Sequence, residues 1–345
     1  MTNDDHSADG QNVPTSSTTE SLGTLALRTR STFVIPPGEA QLFLSLTEAL
    51  TRTTAPFQEI GRALQANIAG LISTVTVPYT LAIRSVHDRH WQRIYSAERI
   101  RALTILDPNE NETGEGLKVR EAREDREAIE AARSKMESFL RSPAGSEPII
   151  RDTLGFLESF LSDKASLRAA NDLVLQGAVL CWGAFEVLAR DCFIAHLNAQ
   201  PTRSLVLLGD ATAKRRFELS KVSLETLATH NFDLSNRMGT LLASQQDLSD
   251  IYSVKCVYKA LFPDNQSLSD ALGDSDLRLL SLRRNLIVHQ CGVIDGMYAA
   301  ATDCRHPVGQ RLALSPDELE THLRTTVSVA TCVLDAVSTA SEALS

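Results

Sequence analysis

Residues 167–198 read LRAANDLVLQGAVLCWGAFEVLARDCFIAHLN. No proline interrupts them, and the charges are confined to Arg168, Asp172, Glu186, Arg190 and Asp191. A run this long and this apolar exceeds any ordinary strand and predicts one long buried helix. Its middle, Leu173–Leu188, is the best candidate for a membrane span in the chain. It falls short of the roughly 20 residues a span needs, and it holds Gln176 and Glu186. A buried helix needs other helices around it, and the flanking sequence supplies them.

C-terminal to it, RFELSKVSLETLATH, NRMGTLLASQ, LSDIYSVKCVYKALF and LRLLSLRRNLIVHQ all carry helical spacing. The last helix is announced by Ser315, Pro316 and Glu318, which suit the N-cap, N1 and N3 positions of a capping box. Strands are scarce. Two short extended pieces between Val293 and Leu314, GVID and QRLAL, predict a small hairpin.

On the N-terminal side, residues 1–30 are Ser/Thr/Asp-rich with nothing to bury and are expected as a disordered tail. Residues 31–148 form a helical region, punctuated by Pro56, Pro78 and the loop DPNENETGEG. The highly charged helix that follows this loop, KVREAREDREAIEAARSKMESFLR, suits a solvated face laced with i,i+4 pairs. SPAGSEP (142–148) reads as a break, after which 149–345 forms a more apolar helical domain. The expected fold class is all-α.

The chain has 345 residues, 43% of them hydrophobic, with 34 Lys+Arg against 43 Asp+Glu and a net charge of −9. Such a chain has no general electrostatic attraction to nucleic acid, so any contact needs a local positive patch. Six cysteines lie far apart with no C-x-x-C pair, as in a reduced, intracellular protein. Cys304 and His306, with Cys291 upstream, come nearest to a ligand set, but tetrahedral metal sites use tighter pairs. No metal and no cofactor are expected. The first 24 residues lack the apolar segment of a secretory signal, so a soluble cytoplasmic protein without membrane contact is expected. Walker, HExxH and G-x-S-x-G patterns are absent.

Chemistry concentrates in residues 281–295, SLRRNLIVHQCGVID. On a helix, Asn285 and His289 are i,i+4 and share a face. Arg284 lies five residues before His289, and its long side chain can swing to the same edge. Leu286, Ile287 and Val288 are expected to face the bundle. Gly292 suits a left-handed C-cap, which puts His289 in the last turn. Histidine is the side chain that exchanges a proton near neutral pH. Arginine can hold a phosphate and offset charge developing on its oxygens. Together they fit phosphodiester chemistry. Spacing alone is weak support, because Arg84…His90 and Arg190…His196 show a similar separation.

RRNLIVHQCGVID resembles the Arg-Asn-x-x-x-His signature of the HEPN superfamily. Gly292, Asp295 and Tyr298 after the histidine, the extended VGQRLALS before the capped last helix, and CWGAFEVLARDCF upstream resemble the same family in order. The resemblance covers roughly residues 160–340. It implies a four- to five-helix bundle that dimerises, with the motifs of two subunits facing each other across a cleft. Many such proteins are metal-independent endoribonucleases of defence, toxin–antitoxin or RNA-processing systems. They leave a 2′,3′-cyclic phosphate and a 5′-hydroxyl. The match makes Arg284 the phosphate and transition-state stabiliser and His289 the proton-transfer group. Asn285 would orient the phosphate or the imidazole. Arg283 competes with Arg284 by spacing, but Arg284 directly precedes Asn285.

Glu186 stands in an apolar stretch, where a lone carboxylate is costly. Its partner is either Arg190 at i+4 or a group of the motif, Arg284 or His289, which it would orient. From residue 166 onward, 16 basic side chains face 20 acidic ones. Arg278 and Arg283, on the same helix as Arg284, are candidate RNA contacts, with Lys214-Arg215-Arg216 as a rim. The expected partners are an RNA presenting a loop, such as tRNA or another structured RNA, and a second copy of the chain. A regulatory partner would act through residues 31–148. The alternatives are a non-catalytic HEPN module that binds RNA or protein, and an unrelated helical scaffold.

Overall fold

A computed structural model describes residues 21–36, 38–105, 114–217, 223–245, 248–302, 304 and 306–342. Among them every regular element is helical, so the chain is all-α. The expected hairpin is reduced to one isolated antiparallel bridge, Val293 to Arg311.

The chain enters through α1 (Leu22–Arg30), capped by Ser21, whose Oγ accepts from Thr24 N at 3.3 Å. Residues 22–30 were expected within a disordered tail. They fold because Leu25 and Thr29 are buried against a partner helix that local composition does not reveal. Residues 1–20 lie outside the described residues. Next come α2 (Glu39–Leu42), α3 (Leu44–Arg52), α4 (Phe57–Val75) and α5 (Val77–Ile105). The loop residues 106–113 lie outside the described residues, and then α6 (Glu115–Arg141) and α7 (Pro143–Glu158) follow. α1 packs on α7, and Arg28 pairs with Glu158.

α6 packs along α5. Its seam is Glu124, Ala128, Ala132 and Met136, all buried and four residues apart. Arg120–Glu124 and Arg123–Glu127 pair along the helix, as the charge pattern predicts. The expected break at 142–148 is far shorter than a linker. Ser142 ends α6 and caps α7, and Pro143 opens the new helix. A Cβ on Gly145 would stand 1.9 Å from Phe139 O, so the two helices meet in contact.

α8 (Lys164–Ala199) is the long helix the sequence predicts, about 54 Å in length. Asp163 caps it, accepting from Ala165 N and Ser166 N at 3.3 and 2.9 Å. In full it is longer than the stretch 173–188 and passes the length and composition of a membrane span, yet 56% of its most apolar window is buried in the protein. α4 already covers one of its faces. After a 3-10 turn (Pro201–Arg203) come α9 (Ser204–Gly209), α10 (Ala211–Phe217), α11 (Leu224–Thr229), α12 (Met238–Gln245), α13 (Ile251–Leu261) and α14 (Gln266–Gly273). The helical stretch expected over 216–230 is divided between α10 and α11, with 218–222 outside the described residues. α15 (Ser275–Gln290), α16 (Gly296–Thr302) and α17 (Pro316–Glu342) complete the chain.

α8 packs against α4, α12, α15 and α17. A Cβ on Gly177 would meet Leu319 Cδ2 at 2.8 Å and Val75 Cγ1 at 2.9 Å, so glycine lets three helices approach at one point. Tyr258 donates to Ala189 O at 2.7 Å and Trp182 Nε1 to Ser249 O at 3.0 Å, so both buried aromatics keep their polar ends satisfied. One hydrophobic cluster runs from Val34 to Val337 and takes in α3, α4 and the C-terminal helices. A boundary at 148/149 therefore cuts through a shared core. Among the described residues, α5–α7 form a side arm with its own cluster of Val86, Met136 and Ile149, joined to α8 through Ala82, Leu157 and Ala170.

Candidate functional site

α15 carries the motif on one edge. Asp274 caps the helix, accepting from Asp276 N at 2.7 Å and Leu277 N at 3.2 Å. Leu277, Leu280, Leu286 and Ile287 are buried against the bundle. Val288, expected to join them, is 48% exposed, because three consecutive helical residues span too wide an arc to share one face. Two left-handed residues end the helix. Cys291 (φ 51) takes the C-cap expected of Gly292, and Gly292 (φ 75) follows, its N–H closing on Leu286 O at 3.1 Å. A Cβ at Gly292 would meet nothing closer than 3.7 Å, so glycine is required by conformation and not by space. His289 falls in the last turn and is exposed.

Arg284 is anchored by two contacts. Its Nη1 donates to Asn285 Oδ1 at 3.0 Å, and its Nη2 lies 3.6 Å from Glu186 Oε2. Glu186 thus reaches the motif across the α8–α15 interface. Arg190, its alternative partner, pairs instead with Asp191 at 3.2 Å. The side chains of Arg284 and Glu186 keep 22% and 23% of their surface, so the pair forms the wall of an open surface. Four residues beyond Asn285, the His289 ring has no hydrogen bond among the described residues. Glu186, Arg284 and Asn285 are thus in contact, and His289 lies exposed one turn beyond Asn285 on the same helix.

Arg283 does not belong to this edge. It is 7% exposed and turns inward, its Nη1 on His322 Nε2 at 2.7 Å and its Nη2 on Glu318 Oε1 at 2.5 Å. A role in RNA contact is overturned, since the neighbouring residue one step round a helix faces about 100° away. Arginine cannot accept a hydrogen bond, so His322 Nε2 accepts and the ring proton sits on Nδ1. Burial and the Arg283 charge hold His322 down at about 4, against the pull of Glu318. Glu318 has two tasks. Its Oε2 accepts from Ser315 N at 2.9 Å while Ser315 Oγ accepts from Glu318 N at 3.2 Å, the reciprocal box read in the sequence. Burial raises its carboxyl, but Ser315 and Arg283 outweigh burial and the net shift is downward. His322 escaped the sequence reading. Its one signal was its place four residues after Glu318, on the same face of α17.

The segment before α17 is pinned to α8. Asn171 Nδ2 donates to Leu312 O and its Oδ1 accepts from Leu314 N, both at 3.2 Å. Asp295 accepts from Tyr298 N at 2.7 Å and opens α16, and Tyr298 is buried. Arg278 is exposed, its Nη2 3.4 Å from Ala301 O. Lys214 and Arg215 are exposed on α10, and the Arg216 side chain lies outside the described residues. His196 stands in the last turn of α8 and is buried at 1% exposure, its ring tilted against Phe262 at 5.1 Å between centroids, with neither ring nitrogen partnered. Burial, with Arg203, lowers it to about 4. Burial likewise lifts Cys181 to about 12, which leaves it an inert core thiol. Among the described residues, no three His, Cys, Asp or Glu side chains gather at a metal-sized site.

Two contacts align α8 with α15. Arg284 meets Glu186 at one end, and Gly292 faces Leu175 at the other. The helices are antiparallel there. Leu180 of α8 and Val288 of α15 are each 48% exposed, and Leu180 lies well over 100° round α8 from Leu175 and Glu186. In comparisons with known proteins, the chain matches no protein-family model, no curated protein and no solved structure.

Proposed function

We propose that this edge is the active site of a metal-independent endoribonuclease of the HEPN type, working in the cytoplasm as a homodimer in a defence or toxin–antitoxin setting. The observation that carries the reading is the Glu186–Arg284–Asn285 arrangement, with His289 exposed in the following turn. A guanidinium held on two sides loses little freedom when it meets a phosphate. The ribose 2′-oxygen attacks the adjacent phosphorus and gives up its proton. The bond to the 5′-oxygen breaks, and that oxygen gains a proton. Arg284 stabilises the charge on the non-bridging oxygens, and His289 serves the proton transfers. Asn285 restrains Arg284. A second copy packed about a twofold axis would bring a second motif to the same cleft.

A non-catalytic module that binds RNA or protein is the second reading. It is favoured by the excess of acidic over basic residues and by the carboxylate that already faces Arg284.

The test is cleavage of total cellular RNA, tRNA included, in EDTA by wild type, His289→Ala and Arg284→Ala. Fragments with 2′,3′-cyclic phosphate ends from wild type alone are expected. Equal cleavage by all three, or cleavage that EDTA abolishes, defeats the reading. RNA binding without cleavage, unchanged in Arg284→Ala, selects the binding module.

A further inference from the structure

Where the side arm joins α8, the surface opens into an apolar groove of about 650 Å³. Val77 and Leu81 of α5, Phe156 of α7, Phe160 just beyond it, and Ala169 and Leu173 of α8 form its walls. Val77, Leu81 and Phe160 are exposed although large and apolar. Its polar lining is limited to Ser85 and Ser166. Through Leu81 and Ser85 the groove passes directly onto a shelf that carries Arg84, Arg89 and Arg93, with Asp88 among them. The Arg89 guanidinium lies over the Phe156 ring, 5.8 Å from its centroid, and so joins shelf to groove.

This shelf carries an excess of positive charge. Among the described residues, Arg84, Arg89 and Arg93 make no ion pair, whereas Arg120, Arg123 and Arg141 of the adjacent α6 each face a glutamate. Asp88 offsets one of the three charges. An apolar trough that ends at a cationic mouth is complementary to a molecule with a hydrocarbon chain and one anionic head. The volume falls in the range of roughly 300–1,000 Å³ typical of small-ligand sites. It is a trough for one chain, not the broad surface of about 800 Å² that a protein partner covers. The first 20 residues of the chain supply only Met1, Ala8 and Val13 as non-proline apolar side chains, too few to fill it.

We propose that this groove binds a long-chain fatty acid, its hydrocarbon chain between α5, α7 and α8 and its carboxylate on Arg84 and Arg89. Two guanidinium groups at the mouth can receive both carboxylate oxygens. Bound there, the chain closes the seam between the side arm and the helix that carries Glu186.

The test is titration of the full chain with oleate below its micelle concentration, followed by displacement of cis-parinaric acid fluorescence. Saturation at one ligand per chain is expected, together with a rise in thermal midpoint that grows with ligand concentration. Leu81→Glu puts a carboxylate in the trough at an exposed position, and Ala169→Trp fills it. Each is expected to weaken oleate by about tenfold or more. Arg84→Gln/Arg89→Gln is expected to weaken oleate by about tenfold while leaving oleyl alcohol unchanged. The wild-type thermal midpoint without ligand, retained in every variant, shows that the fold is intact. Absence of saturation, binding that survives both wall variants, or binding seen only on phosphatidylglycerol vesicles overturns the proposal.

Discussion

Arg283 and Arg284 are neighbours in sequence and opposites in surroundings: Arg283 is buried against His322 and Glu318, while Arg284 faces the open edge beside Glu186. Their substitutions separate stability from chemistry. Arg283→Met strands a buried histidine and a carboxylate. It is expected to lower unfolding free energy by about 2 kcal/mol, below the roughly 3–5 kcal/mol of a fully buried pair because Glu318 keeps 44% of its side-chain surface. Arg284→Met is expected to change urea stability by less than about 1 kcal/mol, as exposed pairs do, and to abolish RNA cleavage. Urea unfolding and cleavage measured on both variants check this. Loss of cleavage in folded Arg283→Met with retention in Arg284→Met would reverse the assignment.

Glu186→Gln keeps the size of the side chain and removes the charge that holds Arg284. An orienting contact of about 1.4 kcal/mol corresponds to tenfold in rate, so kcat is expected to fall about tenfold. KM is expected to change little, because the phosphate still meets the same guanidinium. Single-turnover cleavage with excess enzyme reads the chemical step directly. A rise in KM alone would show that Glu186 acts on binding and not on orientation.

The two arginines also show where sequence legibility ends. The long helix, the capping box at Ser315 and the motif's place in a last helical turn follow from local rules, and all three stand in the fold. Glu186 stands out in the sequence because an isolated carboxylate in an apolar run demands a partner. Which partner it takes depends on the register of α8 against α15, a long-range property that no local pattern encodes. The same limit explains Val288, which is apolar but lies off the buried arc, and Arg283, whose charge suggested a surface position. The boundary that composition suggests meets the same limit. Composition changes at residue 149, but core membership follows packing, and α4 contributes Leu64, Ile68, Leu71 and Ile72 to the cluster that α8 and α17 share.

That shared core makes a truncation informative. A fragment of residues 149–345 loses α3 and α4 and exposes the α8 face that they cover. Each large apolar side chain lost from a core costs about 1.5–3 kcal/mol, and four such losses from α4 alone approach the whole stability of a domain, about 5–15 kcal/mol. The fragment is therefore expected to aggregate or to unfold without a cooperative transition. A cooperative thermal transition near that of the full chain would restore the division at 148/149. Deletion of 83–148, within the side arm, tests the arm without opening that core.

Acid should expose the two buried histidines. A histidine in the unfolded chain takes up a proton near pH 6.5, whereas His322 and His196 in the fold resist until about 4. Between these values the unfolded chain binds more protons, so acid favours unfolding. Their contribution is complete above about pH 6.5. It declines as pH falls toward about 4, by up to about 3 kcal/mol for each group, and is exhausted below that value. Glu318, whose carboxyl is held low, adds a loss of the same sign toward the acid end. His322→Gln keeps an acceptor for Arg283 and removes the titration, and His196→Phe replaces an unpartnered ring with an apolar one. Urea unfolding from pH 7 to pH 4 is expected to show a steep fall in wild type and a shallower one in each variant. The slope should drop by about 1.4 kcal/mol per pH unit for each histidine removed, its limit in the middle of the window. If the double variant keeps the wild-type slope, the acid sensitivity belongs to the carboxylates and both histidines take up protons in the fold as readily as in the unfolded chain.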